Sequence, residues 1–242
     1  QAKTFGSLIA VPASIADTLP SLKITIEQIA DNGDLFATTS ALALLPIIQQ
    51  AEILANKYDA VVANPPYMGG GGMNSDVKKF AKDTFPNSKS DMFAMFIERC
   101  LALGSENSEH GFVTPYVWMF INSYEKLREQ LIACHTLNSL IQLEYNAFAP
   151  ACIPVCAFTI SKKHTPGFKG GFIRLSEFKG HENQSPKTIE AINDRSCGWF
   201  FESQPDSFST LPGSPMGYWI DTATLDLFSM NPDISSIGTA KT

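Results

Sequence analysis

The sequence predicts an α/β fold, a sheet whose strands are joined by helical crossovers. Three observations carry that prediction. Short apolar runs alternate with longer stretches whose apolar residues recur at helical spacing. The order reads strand, helix, strand, helix, strand through the middle of the chain. Hydrophobic residues make up 44% of the 242 and charged residues 17%, the balance of a globular chain long enough to bury its own core.

The elements follow in order. Apolar residues recur near helical spacing from about Ser40 to Lys57, which predicts a helix. "YDAVVA", Tyr58–Ala63, reads as a short buried strand. It must stop at Asn64, because a residue before proline avoids the helical region and Pro65 and Pro66 have no N–H for a ladder. "MGGGGMNS" is a loop, and "SDVKKFAKDTF" a short polar helix. "SKSDMFAMFIERCLALGSENS" is a strong helix that Ser90 or Asp91 can cap, with an apolar face that includes Phe93, Ile97 and Leu101. "GFVTP" (Gly111–Pro115) is a strand, and "SYEKLREQLIA" a helix capped near Ser123. "LNSLIQLEY", "PVCAFTISKK" and "GGFIRLSEF" are three further strands, followed by a helix over 184–193. After Cys197 the chain turns rich in Pro, Gly, Ser and aromatics, which suggests a domain edge, with a last helix near Thr222–Met230. The expected parts are a helical lead-in over 1–56, a sheet-bearing part over 57–196, and a linker over 197–242. Ligands of such sheets bind beyond the carboxyl ends of the strands, where Asn64 and Thr114–Pro115 fall.

Composition narrows the function classes. A net charge of −6 is not the footprint of a self-sufficient nucleic-acid binder. The five cysteines (Cys100, Cys134, Cys152, Cys156 and Cys197) have no CxxC spacing, so they read as buried free thiols rather than a metal site. No signal peptide opens the chain, and the longest apolar run, "ALALLPII", is short for a membrane span. The expectation is a soluble, cytoplasmic protein with no membrane partner. The lack of an initiator Met and the ending "SSIGTAKT" suggest an excised piece of a longer chain.

The stretch "VVANPPY" carries chemistry. Asn64 offers a side-chain carbonyl, and the Pro65 backbone carbonyl is a second acceptor with no competing N–H. Two converging acceptors suit an –NH2 group, and Tyr67 supplies a flat face for the ring that carries it. The nitrogen of such an amine is a poor nucleophile because its lone pair is conjugated into the ring. Acceptors on its hydrogens favour a pyramidal nitrogen and free that pair. The plain alternative is a proline turn after a strand. Lys78, Lys79, Lys82 and Lys89 follow the glycine loop, either as phosphate contacts or as a solvated charged face.

"VVANPPY" resembles the catalytic motif of S-adenosylmethionine-dependent amino-methyltransferases, in the form typical of N6-adenine DNA methyltransferases. With "KSDMFAMFIERCLAL", "HGFVTPYVWMFINSYEKLREQLI", "SLIQLEY" and "FAPACIPVCAFTI" it is similar to the adenine-specific methyltransferases of BREX-type phage defence (PglX-like) and to the methyltransferase part of fused restriction–modification enzymes. The resemblance implies part of a Rossmann-like S-adenosylmethionine-dependent methyltransferase fold, the C-terminal half of a mixed sheet with helices on both faces. It implies a catalytic motif of Asn64, Pro65, Pro66 and Tyr67. Tyr67 and Phe148 would take the two faces of a flipped adenine in double-stranded DNA, and Asn64, Asp91 and Phe93 would line the cofactor pocket. Other phage-defence proteins become candidate partners. An ordinary core residue at Phe148 and a plain helix cap at Asp91 are the alternatives. The family's glycine-rich cofactor loop and its acidic ribose partner have no match here. Both are expected upstream, a recognition domain is expected downstream, and the isolated chain is expected to be inactive. Protein-glutamine methyltransferases also use this motif, and a non-catalytic DNA-binding component of a defence complex is a third reading.

Overall fold

A computed structural model describes residues 2–148 and 153–230. Cys152 and the last residues of the tail lie outside them. The chain divides into two units, Gln1–Tyr58 and Asp59–Thr242.

The first unit is helical: α1 (Ala2–Phe5), α2 (Ala13–Ala16), α3 (Leu19–Asn32) and α4 (Leu35–Ala55). The last two form a hairpin about Gly33 and Asp34. The Asp34 carboxylate caps α4 by accepting from the Phe36 and Ala37 amides at 3.0 and 2.9 Å. Lys23 of α3 meets Glu52 of α4 at 2.9 Å. Helix α4 begins at Leu35, earlier than its apolar repeat suggests, and runs through Pro46. The apolar run counted from sequence is therefore part of a 21-residue helix that is long and apolar enough to cross a membrane, by length and composition alone.

The second unit holds a six-stranded sheet in the order β1-β2-β4-β3-β5-β6. Its strands are β1 (Tyr58–Ala63), β2 (Gly104–Pro115), β3 (Thr136–Gln142), β4 (Val155–Ser161), β5 (Gly170–Arg174) and β6 (Phe200–Ser203). Strand β4 is antiparallel to both β2 and β3, so β2 and β3 point the same way, and β5 is parallel to β3. Strand β6 closes the far side antiparallel to β5. The helices are α5 (Ser75–Thr84), α6 (Met92–Leu103), α7 (Glu125–Cys134), α8 (His181–Asn193) and α9 (Thr222–Met230). Successive residues of a strand face opposite sides. Leu140 and Phe172 enter the main core with Ile97 of α6 and Leu127 of α7. Their neighbours Ile141 and Ile173 pack with Ala191 of α8 in a second cluster. Helices therefore cover both faces of a mixed sheet.

Further details differ from the sequence-based expectation, among them that Gly104–Ser108, read as the end of a helix, opens β2. Strand β1 is not buried: Val61 and Ala63 pack on the core, while the other face carries Ala60 and Val62 outward, Val62 at 85% exposure. The reason is position, since β1 is the edge strand of the described sheet and has β2 as its one neighbour. Helix α7 takes no side-chain cap, because Ser123 lies in the 3-10 turn before it. Among the four described cysteines, all free, Cys134 is exposed. The stretch after Cys197, read as a linker, supplies β6 and the core residues Phe208, Met216 and Tyr218. Buried Arg128 holds this stretch in place, donating to the carbonyls of Gly213 and Ser214 as well as those of Trp118 and Ile121. Gly213 and Ser214 are successive left-handed residues (φ 77° and 50°), a backbone turn that lets both carbonyls reach one guanidinium.

Candidate active site at the carboxyl end of β1

Strand β1 delivers its last residue, Ala63, into the Asn64–Pro65–Pro66–Tyr67 turn. Asn64 and Pro66 are exposed, Pro65 is buried and Tyr67 half-buried. The Tyr67 hydroxyl lies 3.1 Å from Asn64 Oδ1 and 3.3 Å from the Val113 carbonyl on β2. A phenol has one proton, so it donates to one of these acceptors at a time. Burial raises the Tyr67 pKa, with a smaller contribution from Cys156, which keeps the hydroxyl a neutral donor. Asn64 Oδ1 keeps a second lone pair free, and no described residue donates to the Pro65 carbonyl. The turn thus presents two acceptors and one aromatic ring at a strand end.

Asp91 fixes this turn from the other side. Its Oδ1 accepts from the Met68 amide at 2.9 Å and from the Phe93 amide at 3.2 Å. One carboxylate therefore caps α6 and clamps the residue after Tyr67. Two backbone bonds close the same junction, Met92 N–H to Met68 O at 3.0 Å and Gly70 N–H to Ser90 O at 3.2 Å. Asp91 occupies the cap position named from sequence, and its contacts are to the backbone of the turn and of α6.

Phe93, expected to line a pocket, is 1% exposed. Its ring meets Tyr67 edge-on at 6.3 Å and Tyr124 at 5.7 Å, so it backs Tyr67 from within the core. Helical periodicity explains this: Phe93 is in the first turn of α6, on the stripe that continues through Ile97 and Leu101 into the core. Phe148 is the opposite case. It is 52% exposed, six residues beyond the end of β3, and it is no core residue. Strands β2 and β3 run the same way, and Tyr67 is bonded near the end of β2, so Phe148 follows a strand end on the same edge as Asn64. Among the described residues no ring contact joins Phe148 to Tyr67.

Sequence reasoning passed over Tyr116. It directly follows Thr114–Pro115 at the carboxyl end of β2, and its hydroxyl interacts with the Gln142 side chain at the end of β3. Burial, more than any neighbour, raises its pKa. The signal was there: "TPY" repeats, at a second strand end, the proline-then-tyrosine pattern of "NPPY".

A mixed sheet with helices on both faces, ending in an Asn-Pro-Pro-Tyr turn, defines the class: a methyltransferase-type α/β domain. The chain belongs to the Eco57I restriction-modification methylase family, which matches residues 17–148, more than half of its length. It is 39% identical over 238 residues to the adenine-specific methyltransferase BrxX of Escherichia coli O9:H4 (strain HS), covering 97% of this chain and 19% of that protein. It is 32% identical over 233 residues to the adenine-specific methyltransferase PglX of Lacticaseibacillus casei (strain Zhang), covering 93% and 19%. The chain thus spans about a fifth of the length of these relatives. Among solved structures, a nuclease-deletion mutant of the Type ISP restriction-modification enzyme LlaGI, in complex with a DNA substrate mimic, aligns with a TM-score of 0.52. Identity there is 15%, and the alignment covers 84% of this chain and 18% of that one, a likeness of fold.

Proposed function

We propose that residues 57–196 are the catalytic half of a domain that methylates adenine N6 in DNA, with S-adenosylmethionine as methyl donor. One observation carries the reading: Asn64 Oδ1 and the Pro65 carbonyl stand with free acceptor capacity at the end of β1, held by Tyr67 and by Asp91. In this reading each acceptor receives a hydrogen bond from one N6–H. The amine turns toward a pyramidal shape, and the nitrogen lone pair leaves the ring's conjugation and becomes available for attack.

The target base has to leave the duplex, at a cost of a few kcal/mol. Phe148 supports this step, since a large ring that is 52% exposed is what a stacking partner requires. Stacking contributes about 1–3 kcal/mol per base, enough to offset much of that cost. Tyr67 takes the other face in this reading, and Phe93 sets its tilt.

Bound S-adenosylmethionine would supply an electrophilic methyl group. In this reading its main cradle lies outside the described residues. Gly69–Gly72 follow β1, but the loop joins Asn74-capped α5 with no glycine of that run at positive φ, unlike a tight strand-to-helix phosphate or nucleoside turn. In this reading the Asn64–Tyr67 turn is the amine-binding half of the site. A role in phage defence or restriction–modification rests on the family.

The test is Asn64→Ala in the full-length protein that carries this chain. Asn64 is an exposed acceptor outside the core, so the variant folds as wild type while adenine methylation is lost. Methylation near the wild-type rate in that variant would overturn the reading.

A further inference from the structure

Helix α5 leaves and re-enters the candidate site by a short excursion. It starts at Ser75, after the glycine loop, and ends at Thr84, ahead of the turn that carries Lys89 to Asp91. Both ends are pinned beside Tyr67, because Met68 is bonded to Asp91 and to Met92, and Gly70 to Ser90. One side of the helix is buried through Val77 and Ala81. At 3.6 residues per turn, Lys78, Lys82 and Lys79 follow one another across about 100° of the solvent side, and all three are exposed, as is Lys89. Asp83 and Asp76 continue the same exposed arc beyond Lys79, so the Lys78–Lys82 edge is its purely basic side. None of the four lysines has an ion pair among the described residues. In a chain of net charge −6, four lysines against these two aspartates still make this surface a local exception in sign.

The glycine loop adds an independent observation. A Cβ at Gly70 or at Gly71 would meet nothing within 4 Å, and neither residue has a positive φ. Internal packing and backbone geometry therefore do not require glycine at either position. Bare backbone between the Asn64–Tyr67 turn and the lysine face leaves room for another molecule to approach closely.

We propose that the lysine face of α5, with Lys89 and the Gly70–Gly71 backbone, receives the phosphodiester backbone of duplex DNA beside the Asn64–Tyr67 turn. The inference rests on the methyltransferase reading for what happens at that turn, but the docking face stands on its own measurement. Duplex DNA carries one charge per about 1.7 Å of axis, so a three-lysine face finds phosphates in any register. Such contacts position the duplex and read no sequence. The acidic remainder of the chain repels the same polymer and so favours approach by this face.

The experiment is fluorescence anisotropy with a labelled DNA duplex and the full-length protein carrying this chain, across about 50–200 mM salt. Each phosphate contact contributes about 0.9 to the slope of log affinity against log salt, so the K78Q/K79Q/K82Q variant is expected to show a slope shallower by about 2.7. The loss should be the same for unrelated duplex sequences. K78E/K79E/K82E should weaken binding further, and Gly71→Ala, which the fold accommodates, should weaken it with no change in folding. An unchanged slope in the lysine variants would overturn the proposal and leave a solvated face. Adenine methylation by the wild type, measured on the same preparation, separates the two ideas: methylation with an unchanged slope removes the docking face alone, and a shallower slope without methylation removes the chemistry alone.

Discussion

Asp91 is where one side chain sets the geometry of the whole turn, and its replacement gives a graded test. Asp91→Ala removes an N-cap, worth about 1 kcal/mol, and the acceptor for the Met68 amide, worth about 0.5–1.5 kcal/mol. The expected loss is therefore about 2 kcal/mol. Asp91→Asn keeps an oxygen in the same place, and Asn caps nearly as well as Asp, so it should lose about 0.5 kcal/mol, mainly the attraction between a charge and the helix end. The three tryptophans, Trp118, Trp199 and Trp219, all lie in the Asp59–Thr242 unit, so tryptophan fluorescence in a urea titration follows the unit that contains Asp91. For a unit of this size 2 kcal/mol also lowers the melting temperature by about 4–8 °C. Hydrogen exchange supplies the local readout: the Met68 amide should exchange faster in Asp91→Ala and stay protected in Asp91→Asn. If the two variants lose equal stability, or if Met68 exchange is the same in all three proteins, the clamp is not what holds the turn.

Three further outcomes follow from the same structure. Phe148→Ala should change stability by no more than about 0.5 kcal/mol, as for an exposed side chain, while weakening flipped-base handling by about 1–3 kcal/mol, read by 2-aminopurine fluorescence in the full-length protein; a stability loss above about 1.5 kcal/mol would return Phe148 to the core. Arg128→Ala leaves the carbonyls of Trp118, Ile121, Gly213 and Ser214 without their donor and should cost about 3–5 kcal/mol, and Arg128→Lys should not restore it, because an ammonium lacks the fork; a loss below about 1 kcal/mol in urea unfolding would refute this. His110 is 2% exposed, and burial, with the charges of His135 and Lys162, lowers its pKa to about 4, so the unfolded chain takes its proton near pH 6.5 and the folded chain only near 4. Stability should fall as pH drops through that window, by at most about 3 kcal/mol, and level off below it; His110→Gln should flatten the decline, leaving the smaller part due to His135, whose pKa burial also lowers.

Local chemistry was enough to read the site's skeleton from the residues. Prolines 65 and 66 cannot extend a ladder, so the strand had to end at Asn64 whatever surrounded it, and β1 spans Tyr58–Ala63 as the pattern says. Asp91 before an apolar helical stripe made a cap, and it caps α6. The alternation of short apolar runs with helical periods gave the α/β class, because each period is set by backbone geometry alone.

Tertiary structure decided the rest. Strand β6 was missed because "FFES" is four residues long, and it becomes a strand only by pairing with β5. The segment after Cys197 looks like a linker in composition. It packs because Arg128, 85 residues earlier, binds the Gly213 carbonyl, and because the Tyr218 ring stacks on Phe172 at 5.0 Å. Phe93 and Phe148 are the same residue type, and the family resemblance implied a place at the site for both. One is sealed in the core and the other stands in solvent, because burial depends on what the fold brings opposite each ring. The bond from Tyr67 to Val113 spans 46 residues and ties the turn to the next strand. A sequence states which groups are present and what their immediate neighbours allow. Which distant partner satisfies each of them is fixed only when the strands take their order in the sheet.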